Sequence, residues 1–178
     1  MGLCVLLLPQ IRWVFLFMKF LEKDLETIIY ESGRDLLDER GLSIEGKLLR
    51  QVRIGNYGIA DLISYSRPYY NEKKLFFPGQ VTIIELKKEK IGIASFLQSI
   101  QYVKGVIGYL ESKNVSHLFD INIKLIGKEL DTQGSFCFIT DLLNIQGCGL
   151  IEFYTYDFKI DGINFNIENG YDFKNKGF

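Results

Sequence analysis

Between Phe20 and about Leu37, apolar residues at Leu21, Leu25, Ile28, Ile29, Leu36 and Leu37 recur at helical spacing with acids and lysine between them. The pattern predicts an amphipathic helix with Gly33 as its weak point, ended by Gly41. Leu48 to Ile54 reads as a short strand entering a turn at Gly55-Asn-Tyr-Gly58. The next strand starts at Ile59. A strand period of two puts Ile59, Asp61 and Ile63 on one face; Tyr65 closes the strand and Arg67-Pro68 breaks the pattern. Pro78-Gly79 opens the next element. The run from Val81 to Lys87 is almost continuously apolar and β-branched, as expected of a strand covered on both faces at the centre of a sheet.

Ala94 to Leu110 predicts a second helix whose buried stripe is Leu97, Ile100, Val103, Val106, Ile107 and Leu110. Gly105 and Gly108 within it suggest close packing or local weakness. Strand signals return at Ile121 to Ile126 and Ile151 to Phe158, and Asp161-Gly162 is a hairpin turn leading to Ile163 through Ile167. A strand-helix-strand crossover after an antiparallel meander implies an α/β domain, a mixed β-sheet flanked by helices.

At 178 residues the chain fits one domain with a core of its own. We expect that domain over residues 18–170, with a polar tail at 171–178. Apolar blocks at Cys4 to Leu8 and Trp13 to Met18 are interrupted by Pro9, Gln10 and Arg12, short of the roughly 20 apolar residues that span a bilayer. No membrane partner is expected. Met18 opens a more ordinary helix start, so residues 1–17 read as an extension or a misassigned start.

The net charge of -1 gives no global basic signature, so any nucleic-acid face must be local. Cys4, Cys137 and Cys148 are an odd number without C-x-x-C spacing, which speaks against a disulfide framework and a zinc knuckle and for a reducing, cytoplasmic setting.

Candidate chemistry lies at the end of the most apolar strand, where Glu85 and Lys87 interrupt the run. Burying such ions costs several kcal/mol each unless they are paired or bind a metal. Two residues apart, both leave the strand on one face while Leu86 points the other way. Asp61 interrupts the apolar face of the neighbouring strand. Carboxylates on adjacent strands can hold Mg²⁺ or Mn²⁺, with an activated water as the attacking group on phosphorus and Lys87 orienting it or stabilising charge.

Asp61, a loop, then Glu85-Leu86-Lys87 ending a hydrophobic strand resembles the signature of the PD-(D/E)XK nuclease superfamily, with Ala60 where the name has proline. The resemblance runs from about Phe20 to Tyr109. Gln98 and Tyr102, one helical turn apart, are similar to the Q-x-x-x-Y element of exonuclease-like branches. Glu22 matches the helix position that often supplies another carboxylate; Glu26, four residues along, can take that role instead. Arg50-Gln51-Val-Arg53 leading to Asp61 also looks like the approach found in DNA-end and restriction-type members.

The resemblance implies a restriction-endonuclease-like core in αβββαβ order and a Mg²⁺- or Mn²⁺-dependent deoxyribonuclease. Asp61, Glu85, Lys87 and Glu22 would be catalytic, with Asp61, Glu85 and Leu86 at the metal. Gln98, Tyr102 and Lys88 would support the site or touch nucleic acid. DNA is the expected partner, with RNA, endo- or exonucleolytic action and homodimer formation left open.

Blander readings stand beside this one. An E-x-K at a strand end is most often an exposed ion pair, and Lys88, Glu89 and Lys90 read as a solvated turn. His117, the single histidine, begins a strand pattern and reads as structural. A silent nucleic-acid-binding module of the same fold, or an interaction protein whose charges form an ion-pair network, are the alternatives.

Overall fold

The computed structural model describes residues 20–131 and 150–168. The alternative start at Met18, the three cysteines and the polar tail lie outside those residues.

Amphipathic spacing produces helix α1 (Glu22–Glu31) and the short α2 (Arg34–Glu39), separated at Ser32 and Gly33 where the sequence predicted a weak point. Asp24 caps the start of α1 by accepting the main-chain N–H of Leu21 at 2.7 Å. Strands β1 (Lys47–Arg53) and β2 (Ile59–Tyr65) follow, then a small hairpin of β3 (Tyr69–Tyr70) and β4 (Phe76–Phe77), then β5 (Gly79–Leu86). After β6 (Lys90–Ile91) comes the long α3 (Ile93–Ser112), a 3-10 turn at Ser116–Leu118, β7 (Phe119–Gly127) and β8 (Glu129–Leu130). The hairpin of β9 (Ile151–Lys159) and β10 (Gly162–Glu168) completes the described chain.

Six strands form one mixed sheet in the order β1-β2-β5-β7-β9-β10. The β1-β2-β5 meander is antiparallel, β5-β7 and β7-β9 are parallel, and β9-β10 is antiparallel. The α/β class and the mixed sheet flanked by helices are as expected. No helix among the described residues is long and apolar enough to cross a membrane.

Strand alternation divides the core into two layers. Ile63, Val81, Ile83, Ile121, Ile123 and Leu125 pack with Phe96, Val103, Val106 and Leu110 of α3. On the other face Leu62, Ile84, Leu86 and Ile126 pack with Leu25 and Ile29 of α1 and Leu37 of α2. Each such side chain stabilises the fold by roughly 1.5–3 kcal/mol on burial. β5 is therefore covered on both sides, as its sequence predicted.

The buried stripe of α3 differs from the predicted one. Leu97 is 51% exposed, whereas Phe96, Ser99, Tyr102 and Gly105 are buried. The helix approaches the sheet through small residues: a Cβ on Gly105 would lie 2.5 Å from Ile54 Cγ2 and 2.7 Å from the Tyr57 ring. Close approach at Gly105 turns the helix so that Leu97 faces outward. Gly108 meets nothing within 4 Å. Two smaller corrections concern His117, which lies in the 3-10 turn before β7, and Lys90, which belongs to a two-residue strand paired with β8.

Candidate active site

The pairing of β2 with β5 ends at Leu62 opposite Ile84. One residue further on, Asp61 Oδ2 accepts the Leu86 N–H at 2.9 Å. The side chain thus takes a donor that a continuing ladder would satisfy from the main chain. The two strands part at the carboxyl end of the most buried strand, next to Glu85.

Glu85 is 1% exposed. Its Oε1 accepts a hydrogen bond from Lys87 Nζ at 2.7 Å, and its Oε2 is buried with no hydrogen-bond partner among the described residues. Burial raises the Glu85 carboxyl to about 7; the charge of Asp61 adds to the rise, and Lys87 opposes it. Asp61 is also raised, first by burial, with the Leu86 N–H and Lys87 pulling the other way. Burial works against the charge on Lys87, yet the hydrogen bond to Glu85 and the charges of Glu85, Glu22 and Asp61 together hold it above its ordinary value. An ammonium and two carboxylates thus share one electrostatic neighbourhood, and the carboxylates repel each other.

Helix α1 brings two more acids. Glu22 Oε1 lies 3.7 Å from Lys87 Nζ, and Glu22 Oε2 accepts the Lys88 N–H at 3.3 Å. Glu26 is more enclosed, at 5% exposure, and is held from β1 by Arg50 Nε at 2.9 Å and by the Gln51 side-chain amide. Gln51 has φ +51, a left-handed conformation that costs a non-glycine residue about 1–2 kcal/mol. It lies between the paired residues Arg50 and Val52, whose partners Leu62 and Ala60 flank Asp61. The kink therefore falls in β1 directly across from Asp61. Glu22, Lys23, Glu26, Arg50, Gln51 and Asp61 line an open cleft of about 460 Å³.

From the opposite face, α3 supplies the other predicted pair. Gln98 Nε2 donates to the Tyr102 hydroxyl at 2.7 Å, and that hydroxyl donates to the Ile59 carbonyl at 2.7 Å, two residues before Asp61. Gly58, at φ +122, passes against the Tyr102 ring, where an added Cβ would sit 3.0 Å from Cε1. Tyr102 consequently fixes the start of β2. Lys88 lies at the margin: its side chain pairs with Glu89 at 3.3 Å, and its carbonyl accepts the Tyr156 hydroxyl.

The structure thus gathers Asp61, Glu85, Lys87 and Glu22 at one strand end, with Tyr102 and Gln98 behind. Arg50 and Gln51, singled out in the sequence only as part of the approach to Asp61, both hold Glu26; neighbours in a regular strand point to opposite faces, so this joint task was not legible.

Among the described residues no group of three or more acids, histidines or cysteines is placed to hold a metal ion. The donor set nonetheless suits Mg²⁺ or Mn²⁺, which bind through one or two carboxylates and keep several waters. The unpartnered Glu85 oxygen beside Asp61 is the kind of donor that such an ion satisfies. In comparisons with known proteins, no family model, curated protein or solved structure matches this chain.

Proposed function

We propose that the chain is a metal-dependent nuclease hydrolysing phosphodiester bonds of DNA, with the restriction-endonuclease-like core of the PD-(D/E)XK superfamily. One observation carries the reading. Asp61, Glu85 and Lys87 meet where β2 leaves β5, and Glu85 keeps a buried oxygen without a partner there. Most buried polar groups are paired, and of the three unpartnered buried side-chain atoms among the described residues, Arg40 Nε, Asn164 Nδ2 and Glu85 Oε2, only the last belongs to a carboxylate. The order α1-β1-β2-β5-α3-β7, with the β3–β4 hairpin inserted between the second and third sheet strands, supports an αβββαβ core.

Asp61 and Glu85, with the main chain at Leu86, would hold the Mg²⁺ or Mn²⁺ ion. When bound, the ion supplies Lewis-acid stabilisation of phosphate charge and an activated water. Lys87 keeps its proton and presents an ammonium beside that position, where charge developing on the phosphate is neutralised. Glu22 shares Lys87 with Glu85 and so limits the directions in which the amine can reach. Through Ile59, Tyr102 and Gln98 keep β2 in place, which fixes Asp61 relative to Glu85.

The direct test is incubation of the protein with linear, circular and single-stranded DNA and with RNA, in Mn²⁺, Mg²⁺ or EDTA. Metal-dependent cleavage of at least one DNA substrate is expected. Binding without cleavage under every condition would leave only the silent module.

A further inference from the structure

The β3–β4 hairpin stands apart from both core layers. Among the described residues its two strands pair only with each other. An isolated two-stranded ribbon is marginal in water, yet the tip of this one is held by several local hydrogen bonds. Asn71 Oδ1 accepts the N–H groups of Lys73 at 3.0 Å and Leu75 at 2.9 Å, the Asn71 N–H donates to the Leu75 carbonyl, and Lys74 adopts φ +58. Four aromatic side chains project from it and all are exposed, Tyr70 to 70%. Tyr69 stacks on Phe77 with centroids 5.1 Å apart and planes 8° from parallel; Tyr70 tilts against Phe76 at 5.4 Å. Alternation puts the first pair on one face of the ribbon and the second on the other.

Aromatic pairs on both faces of a narrow ribbon make a poor flat docking patch, which wants its apolar area contiguous on one side. They make a good element for insertion between flat groups. The charges agree: Arg67, Lys73 and Lys74 lie in the segment against the single acid Glu72, and none of the three cations is in an ion pair among the described residues. Exposed aromatic faces beside free cations are the chemistry that binds single-stranded nucleic acid, bases on rings and phosphates on ammonium groups.

We infer that the β3–β4 hairpin is a second nucleic-acid contact, on which unpaired bases stack against Tyr69 and Tyr70 while Lys73 and Lys74 meet the flanking phosphates. The inference rests on the nuclease reading for its biological sense and on the hairpin's own geometry for its chemistry. The hairpin enters β5 at Gly79, six residues before Glu85, so it lies about 20 Å along the strand from the candidate active site. A strand engaged at both places must therefore extend several nucleotides past the scissile bond, and a very short oligonucleotide cannot reach both.

Fluorescence anisotropy in EDTA tests this, with a labelled oligothymidylate of about 12 nucleotides, within the range that single-strand sites span. Tyr69→Ala/Tyr70→Ala should weaken binding at least about five-fold, the lower end for loss of one stacked base. Tyr69→Trp/Tyr70→Trp should restore it, and Lys73→Ala/Lys74→Ala should flatten its salt dependence. Among the described residues the ribbon belongs to neither core layer, so circular dichroism should be unchanged in all three. Wild-type affinity in the alanine variant would overturn the inference. So would a change in oligomeric state by light scattering with affinity retained, which would make the ribbon a contact between copies. Loss of affinity in a protein that cleaves nothing would uphold the hairpin contact and remove the nuclease reading; normal binding in the alanine variant of an active nuclease would do the reverse.

Discussion

Asp61 and Leu86 are joined across the gap between β2 and β5 by a side-chain to main-chain hydrogen bond of 2.9 Å. This bond stands in for the next rung of the ladder and lets the strands separate without leaving the Leu86 N–H unsatisfied. Asp61 thereby serves both the sheet and the cleft. Replacing it should disturb the strand pairing as well as the cleft, whereas replacing Glu85 should disturb the cleft alone, and the two carboxylates can be told apart by mutation.

Glu85→Gln removes a charge at nearly constant volume. Cleavage should fall at least about 100-fold, because a carboxylate that would hold the metal ion is lost. Metal-free stability should hold or rise, since repulsion from Asp61 is relieved. Thermal melts in EDTA beside a cleavage assay check both. A large drop in melting temperature would mark Glu85 as structural.

The raised Glu85 value fixes a pH dependence. A carboxyl raised from 4.5 to about 7 binds its proton more tightly in the fold than in the unfolded chain. Its contribution is complete below the ordinary value and is lost as pH rises through about 7. Metal-free protein should therefore lose up to about 3 kcal/mol on this account across that window. Asp61, also raised, acts in the same direction. Urea unfolding at stepped pH measures it, and Glu85→Gln should reduce the slope. A metal-free stability that climbs with pH across the window would contradict the burial of this carboxyl.

Glu22 and Glu26 share the cleft but are held differently. Glu26→Gln disturbs a buried carboxylate bonded to Arg50 and Gln51, and should cost about 1–3 kcal/mol in denaturant melts. Glu22→Gln touches a more exposed group and should cost less than about 1 kcal/mol while lowering cleavage. If Glu26→Gln alone abolished cleavage at unchanged stability, the roles of the two acids would be exchanged.

Lys87 and Lys88 are neighbours with different surroundings. Lys87→Met should lower the cleavage rate about 100-fold or more with only a modest loss of DNA affinity, because one phosphate contact is a small share of binding. Lys88 pairs with Glu89, away from Glu85, so Lys88→Met should do far less. Equal losses of cleavage that track equal losses of binding would reveal a general basic patch.

Much of this arrangement was legible in the chain. The apolar run from Val81 to Lys87 marked the central strand, because only a strand covered on both faces tolerates such a run. The charges of Glu85 and Lys87 stood out against it for the same reason. Gln98 and Tyr102 shared a helix face by spacing alone, and the contact through Ile59 is its tertiary expression. The orientation of α3 was not legible, since hydropathy ranks Leu97 above Ser99 while close approach at Gly105 decides otherwise. Nor was the kink at Gln51, where a non-glycine residue takes a left-handed backbone in the middle of a strand. The β3–β4 hairpin was hidden because Arg67-Pro68 read as the end of a strand, although aromatic pairs on either side of Asn71 were its signal.

The central claim is that Asp61, Glu85 and Lys87 form one metal-dependent phosphodiesterase centre. Its most direct measurement is end-labelled DNA cleavage by wild type and by Asp61→Asn, side by side in Mn²⁺ and in EDTA, with circular dichroism confirming that both are folded. Cleavage by wild type in Mn²⁺ alone, and by Asp61→Asn in neither, is the expected result. Equal cleavage by the two proteins, or cleavage by wild type that persists in EDTA, would contradict the claim.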